Sequence, residues 1–338
     1  MRLGKLVLIL TVSLLLLGAC VAPSVKPAET PVPAPSPSQA APSAPVLTPT
    51  TEPEPEPSLL AIIPIIDMHA HCQTGITPEL MLEEMSKANV TEVVLMPNQG
   101  YEYDGAKSIA LQHPEKFIAF IGFQNKQWIS QNPGFLKMVD KALADKNGVI
   151  FRGLGEVLLR HYAIPDRNAP DIYIPANSKN SYQVFSISEK YNLPVTIHME
   201  AEEKTVYELE AVLKDFPKAQ IIWAHAGRAE ASLIDSMLGS YPNLYIDLAG
   251  LDPSRPYGTE RNPITTQDGL LTTEWKQLLI RYQDRVMTGS DLPFKDLWTK
   301  GWYIKSINAQ RALLEQLPKD VAEKIAYKNA SLLLGLNW

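Results

Sequence analysis

Ile65-Ile66-Asp67-Met68-His69-Ala70-His71 decides the fold of this chain. It reads as a buried β-strand ending in a His-x-His pair. Strand side chains alternate between faces, so the spacing predicts Asp67, His69 and His71 on one face and Ile66, Met68 and Ala70 on the other. Two neutral imidazoles on one face of a rigid strand can bind a single divalent metal without ordering a loop. A lone His-x-His is more often a surface or core pair, so the weight falls on how the other histidines are placed.

Outward from that strand, short apolar runs alternate with longer amphipathic segments, the mark of repeated βα units. The runs predict strands over 62–69, 92–96, 117–122, 149–157, 194–199, 220–225, 244–248 and 285–290. Helical patterns follow over 78–88, 104–113, 133–145, 181–191, 206–216, 231–240, 273–282, 303–317 and 320–334. Eight such units in the 280 residues of 59–338 predict a (β/α)₈ TIM barrel. A doubly wound flavodoxin-like sheet would also alternate, but it needs neither eight strands nor ionisable residues at so many strand ends.

Those strand ends point to a metal site. Val195-Thr196-Ile197-His198, Ile222-Trp223-Ala224-His225 and Met287-Thr288-Gly289-Ser290-Asp291 each stop an apolar run at an ionisable residue. In a barrel the carboxyl ends of all strands face one mouth, where His69, His71, His198, His225 and Asp291 would meet. That uses four of the six histidines and leaves His113 and His161.

Asp67-x-His69-x-His71, His198, His225 and Asp291-Leu292-Pro293 follow the motif order of the amidohydrolase superfamily, which this chain resembles. Pro242-Asn243-Leu244-Tyr245-Ile246-Asp247, His225-Ala226-Gly227-Arg228 and Asn329-Ala330-Ser331-Leu332-Leu333 are similar to its amidohydrolase-related branch, with aminocarboxymuconate semialdehyde decarboxylase and related hydratases and lactone hydrolases. The resemblance implies a metal-dependent hydrolase-type TIM barrel with His69, His71, His198 and Asp291 as ligands of one or two divalent ions, zinc above all. It implies that His225 polarises the substrate or the water. Asp291 doubles as proton acceptor, and Asp67 reads as a group behind the site that orients a ligand.

The fourth strand departs from the commonest pattern of the superfamily: no lysine ends it. Phe151-Arg152-Gly153-Leu154-Gly155-Glu156-Val157 offers Glu156 instead, similar to the TatD-like metal-dependent hydrolases, and Glu156 is expected as a ligand of a second metal, the alternative being a buried acid beside a single one. Arg152 shares its expected face, either to pair with Glu156 or as a candidate for binding substrate. Arg160, His161 and Arg228 are candidates for binding a carboxylate or phosphate of a small-molecule substrate. Cys72 reads as a structural thiol.

The expected activity is hydrolysis of an amide, ester or lactone by metal-bound hydroxide. Non-oxidative decarboxylation is the alternative, a phosphodiesterase comes third, and a non-catalytic metal- or solute-binding envelope protein is the reading from another class. A formal net charge of −6 and the lack of a basic run argue against nucleic acid as a partner.

The first 58 residues carry a different message. Arg2 and Lys5 precede an apolar run and Leu17-Gly18-Ala19-Cys20, which resembles a bacterial lipobox. It implies a signal peptide over 1–19, lipid on Cys20, and a lipoprotein anchored in the cell envelope outside the cytoplasm. Residues 20–58 are rich in Pro, Ala, Ser and Thr, the composition of an extended tether.

Overall fold

A computed structural model describes residues 63–98, 102–145, 151–251 and 264–336. The expected signal peptide, Cys20, the tether and most of the loop before residue 264 lie outside the described residues. In chain order the strands are β1 (Ile65–Cys72), β2 (Val90–Pro97), β3 (Phe117–Ile121), β4 (Gly153–His161), β5 (Ile172–Tyr173), β6 (Val195–Met199), β7 (Ile221–Trp223), β8 (Leu244–Asp247) and β9 (Val286–Met287). Eight of them pair in parallel in the order β1-β2-β3-β4-β6-β7-β8-β9, and β5 adds antiparallel to the end of β4. The ring closes where Met68 N donates to Thr288 O at 3.0 Å and Thr288 Oγ1 donates to Ile66 O at 3.2 Å. Sequential order and closure make this the expected (β/α)₈ barrel and exclude the doubly wound sheet.

The crossover helices start where the sequence supplies caps. Thr77 accepts from Leu80 N ahead of Pro78, Ser178 from Ser181 N, and Thr272 from Trp275 N. Glu202 and Thr205 form a reciprocal capping box on helix Glu203–Asp215. Among the described residues no helix is long and apolar enough to cross a membrane.

Two apolar layers result. Ile65, Val93, Leu95, Leu154, Ile197, Trp223 and Ile246 belong to the layer between strands and helices. Ile66, Met68, Val94, Met96, Ile118, Phe120, Ile222 and Met287 fill the barrel floor, joined by Ala330 and Leu334 of the last helix, Asn329–Leu334. The two sets alternate along the strands as the period of two requires.

Two strands break that period, and both breaks serve the mouth. On β1, Asp67 pairs with Val93 but Ala70 pairs with Leu95, so β1 carries one residue more than β2 over this stretch. That is a β-bulge, which flips the face of everything beyond it. Ile66 and Met68 face the floor, and His69 and His71 nevertheless face the axis as well. Asp67 is left on the other side, next to Tyr303 of helix Trp302–Leu314. The expectation that Asp67 shares a face with His69 is therefore corrected: strict alternation fails at the bulge. On β4, Leu154 pairs with Val195 and Val157 with Ile197, a second extra residue, which turns Glu156 inward.

Several boundaries also move. β1 runs on to Cys72 and β4 to His161, while β7 stops at Trp223, so His225 stands beyond its strand.

Candidate metal centre

His225 and Asp291 reach the mouth from backbone that few side chains tolerate. His225, Ala226, Gly227 and Arg228 all have positive φ (56°, 44°, 60° and 51°), and Asp291 has φ 46°. Left-handed non-glycine residues cost ~1–3 kcal/mol each and persist where surrounding contacts impose them. Gly227, having no Cβ, leaves room in this turn for the Trp223 indole, since a Cβ there would lie 2.3 Å from the ring. At Asp291 the constraint is a hydrogen bond of 2.6 Å from its backbone N–H to His69 O. Gly289 permits that close approach, because a Cβ on it would fall 2.7 Å from His69 Cβ.

Around the axis, His69, His71, Glu156, His198, His225 and Asp291 are all buried. His69 Nε2 lies 3.5 Å from Glu156 Oε1 and 3.7 Å from Asp291 Oδ1. His71 Nε2 lies 3.3 Å from Asp291 Oδ1 and 3.6 Å from Glu156 Oε2. Donors at ~2.0–2.2 Å from a tetrahedral ion stand ~3.3–3.6 Å from one another, so these separations match the edges of a coordination polyhedron. His69 Nε2, His71 Nε2 and His198 Nε2 have no hydrogen-bond partner although buried. Of these, His69 Nε2 and His71 Nε2 face Glu156 and Asp291, an arrangement of orphaned nitrogens and carboxylates that suits a cation.

Tautomers follow from the outer partners. His69 Nδ1 donates to Asp247 Oδ2 at 2.9 Å, His71 Nδ1 to Met96 O at 3.3 Å, and His225 Nδ1 to Ala249 O at 2.7 Å. Each acceptor can only accept, so each Nδ1 carries the proton and each Nε2 turns toward the axis. His198 is turned the other way: its Nδ1 faces Glu156 Oε1 at 2.9 Å and His225 Nε2 at 3.2 Å, and its Nε2 points toward Glu200 Oε1 at 3.6 Å. Three donor triads lie within 4.8 Å: His69, His71 and Asp291; Glu156, His198 and His225; His69, His225 and Asp247.

Charge is concentrated here. Burial works against the His69 imidazolium, yet Glu156 and Asp247 outweigh it and hold the ring well above its ordinary pKa. Burial likewise opposes the Glu156 carboxylate, and His69 and His198 outweigh it and hold it well below. His198, despite burial, is raised to about 9 by Glu156. Burial pulls His225 down. A cation bound among these groups would compete with the protons that Glu156 favours on His69 and His198.

Asp247 had no role assigned from sequence. It takes His69 Nδ1 on one oxygen and the backbone N–H groups of His225 (2.8 Å) and Ala249 (3.1 Å) on the other. It therefore orients one imidazole of β1 and the turn that carries another. Asp67 instead accepts from His69 N at 3.1 Å and Ser290 N at 2.9 Å, tying the backbones of two site segments together. Its burial raises its pKa to about 6. Gln124, also unassigned from sequence, donates to Glu156 Oε2.

The pocket above the cluster is lined by Asn98, Gln124, Glu156, Leu158, His161, Ile164, His198, Arg228, Asp291 and Phe294, among others. His161 and Arg228 are thus in it, while Arg152 and Arg160 are not. Arg152 precedes β4, and its guanidinium lies 4.0 Å from the Cβ position of Gly335 behind the last helix, away from Glu156. Arg160 is held by Glu202 (2.7 Å) and Asp171 (2.9 Å). Cys72 is buried in the layer outside the barrel, where burial pushes its thiol up to about 12. Across the mouth, Arg167 of the segment after β4 bridges to Asp296 beyond β9 at 2.8 Å and lies over the Phe294 ring.

A closed parallel barrel with histidines and carboxylates gathered at its carboxyl end defines a metal-assisted TIM-barrel enzyme. The chain belongs to the amidohydrolase family, whose model matches residues 127–336. It is similar in fold to an amidohydrolase of Burkholderia multivorans (TM-score 0.55, 13% identity, 81% of this chain and 99% of that one). An uncharacterised TIM-barrel protein of Bordetella bronchiseptica (TM-score 0.52, 17% identity, 80% and 98%) shares it too. So does 2,6-dihydroxybenzoate decarboxylase from Rhizobium (TM-score 0.50, 14% identity, 80% and 98%). No curated protein matches the chain in sequence.

Proposed function

We propose that the protein is a metal-dependent hydrolase of an amide, ester or lactone. The observation that carries this is the division of labour within Asp291: Oδ1 lies beside His71 Nε2 and His69 Nε2, and Oδ2 lies 3.8 Å from His225 Nε2. One carboxylate oxygen is among the ligand donors and the other is placed to accept a proton at the pocket floor.

His69, His71, Glu156, His198 and Asp291 would hold the cation, and their nitrogen and oxygen donors suit zinc. When bound, a divalent cation supplies Lewis acidity that polarises a carbonyl and lowers the pKa of a water toward ~7. The chain's own part is then as follows. Asp291 Oδ2 accepts the proton of the attacking water, and His225 Nε2, which carries no proton, accepts a hydrogen bond that orients that water. Asp247 keeps the His69 ring in the ligand tautomer, and Gln124 fixes Glu156. Proton return from Asp291 to the leaving nitrogen or oxygen completes hydrolysis.

Non-oxidative decarboxylation would use the same cation site, and the fold is shared with a decarboxylase of Rhizobium. A panel of amides, esters, lactones and hydroxybenzoates, assayed with and without chelator, separates the two. Hydrolysis that chelation abolishes, that metal restores and that Asp291→Asn lowers at least a hundredfold supports the proposal. Carbon dioxide release without hydrolysis contradicts it. The leader and tether of residues 1–58 support an envelope location through lipid on Cys20, which metabolic labelling with palmitate tests against Cys20→Ala.

A further inference from the structure

The strand that carries Glu156 ends at His161, and the chain beyond it is pinned back onto that strand. β5 pairs antiparallel with the end of β4, His161 against Ile172. The segment between them is closed again by Ile164 N donating to Ala169 O at 3.0 Å and Ala169 N to Ile164 O at 3.2 Å. This hairpin brings the carbonyl of Pro170 to 3.3 Å from His161 Nδ1. The same imidazole packs against the His198 ring, with centroids 4.9 Å apart. His161 is thus held in the pocket wall, one ring away from the cation cluster.

A carbonyl can only accept, so Nδ1 carries the proton and Nε2 keeps its lone pair. Among the described residues nothing donates to that lone pair. Other polar side chains of the lining are already engaged: Asn98 donates to Pro293 O at 3.1 Å, Gln124 to Glu156 Oε2, and Arg228 pairs with Glu200 at 3.4 Å. Leu158, Ile164 and Ile172 line the same pocket, and burial keeps the His161 ring neutral by lowering its pKa to about 4. A neutral acceptor beside apolar side chains discriminates strongly. A ligand that brings a donor satisfies it, whereas an isostere without one leaves it desolvated and unpaired.

We infer that His161 Nε2 accepts a hydrogen bond from a substrate N–H beside the scissile carbonyl, which makes the substrate a small amide with an apolar body rather than the matching ester or lactone. A carboxylate would meet a lone pair there, so His161 does not serve as the anion-binding group expected from sequence. The choice of scissile bond rests on the hydrolase reading, but the hydrogen bond does not, so the test reads binding. The lactam 2-piperidone and cyclohexanone are rings of one size that differ in N–H against CH₂ beside the carbonyl. Both are titrated calorimetrically into the full-length, zinc-loaded protein as wild type, His161→Phe and His161→Gln. The lactam is expected to bind the wild type about tenfold tighter than the ketone. His161→Phe should lose most of that preference with its zinc content unchanged, and His161→Gln, whose Oε1 can accept, should keep more of it. A preference that largely survives His161→Phe would assign it to the carbonyl and the cation and overturn the inference. Equal binding of the two probes to the wild type, or binding of neither, would do the same. If His161→Phe does not fold, His161→Leu takes its place with the same two readings. Selectivity for N–H in a protein that hydrolyses nothing would refute the hydrolase reading and leave the hydrogen bond standing.

Discussion

The floor and the mouth of this barrel are built from the same strands and obey opposite rules. At the floor, Met68, Met96, Ile118 and Phe120 are buried apolar side chains that follow the alternation of a regular strand. At the mouth, one residue beyond Met68, His69 begins a cluster of buried ionisable groups, three of them with orphaned nitrogens. The switch is made by bulges on β1 and β4 and by left-handed residues after β7 and β9. Regular geometry stabilises the floor, and departures from it aim the mouth, which separates stability from chemistry along each strand.

The sharpest way to break this separation is to damage the floor alone. Phe120→Ala removes a fully buried ring and is expected to destabilise the protein by ~3–5 kcal/mol in denaturant unfolding. Zinc affinity of the folded fraction should stay within a factor of about two. A comparable loss of zinc binding would mean that floor and mouth are not separate.

Damage behind the mouth should do the reverse. Asp247→Ala leaves His69 Nδ1 and the His225 turn without their acceptor. Zinc affinity is expected to fall by ~10–100-fold, the usual range for losing such an orienting carboxylate, as read by competition with a chelating dye.

Acid sharpens the contrast further. Burial, with help from the His198 charge, lowers His161 from the ordinary 6.5 to about 4. As pH falls, the unfolded chain takes up this proton before the folded one does. The resulting stability is therefore present above pH 6.5 and is lost as pH drops toward 4. In the metal-free protein His161→Asn should flatten that limb by ~1–2 kcal/mol, a figure discounted for the ring's partial exposure.

The smallest effect is expected at the rim. Arg167→Ala opens a part-exposed ion pair to Asp296 and should cost no more than ~0.2–1 kcal/mol. Raised salt should reproduce that loss in the wild type and not in the variant.

The floor was legible in the sequence because it is periodic: eight apolar runs and their helices gave the barrel, with shifts of a few residues at most ends. His69, His71, His198, His225 and Asp291 were legible because each stands at or near the end of an apolar run, Glu156 only through the family resemblance, and the structure brings all six together. What alternation misplaced was Asp67, since an extra residue in a strand leaves no mark on composition. Asp247, Gln124 and Glu200 act through partners 178, 32 and 2 residues away in the chain. Only Asp247, at the end of the apolar run of β8, carried the same strand-end signal as the ligands.

Elemental analysis of the purified full-length protein, after dialysis against zinc and gel filtration, tests the central claim most directly. The wild type is expected to hold at least one divalent ion per chain, Glu156→Gln to hold less, and a His69→Ala, His71→Ala double variant to hold none. A wild type that retains no ion, or a double variant that retains as much as the wild type, would contradict a metal centre at this mouth.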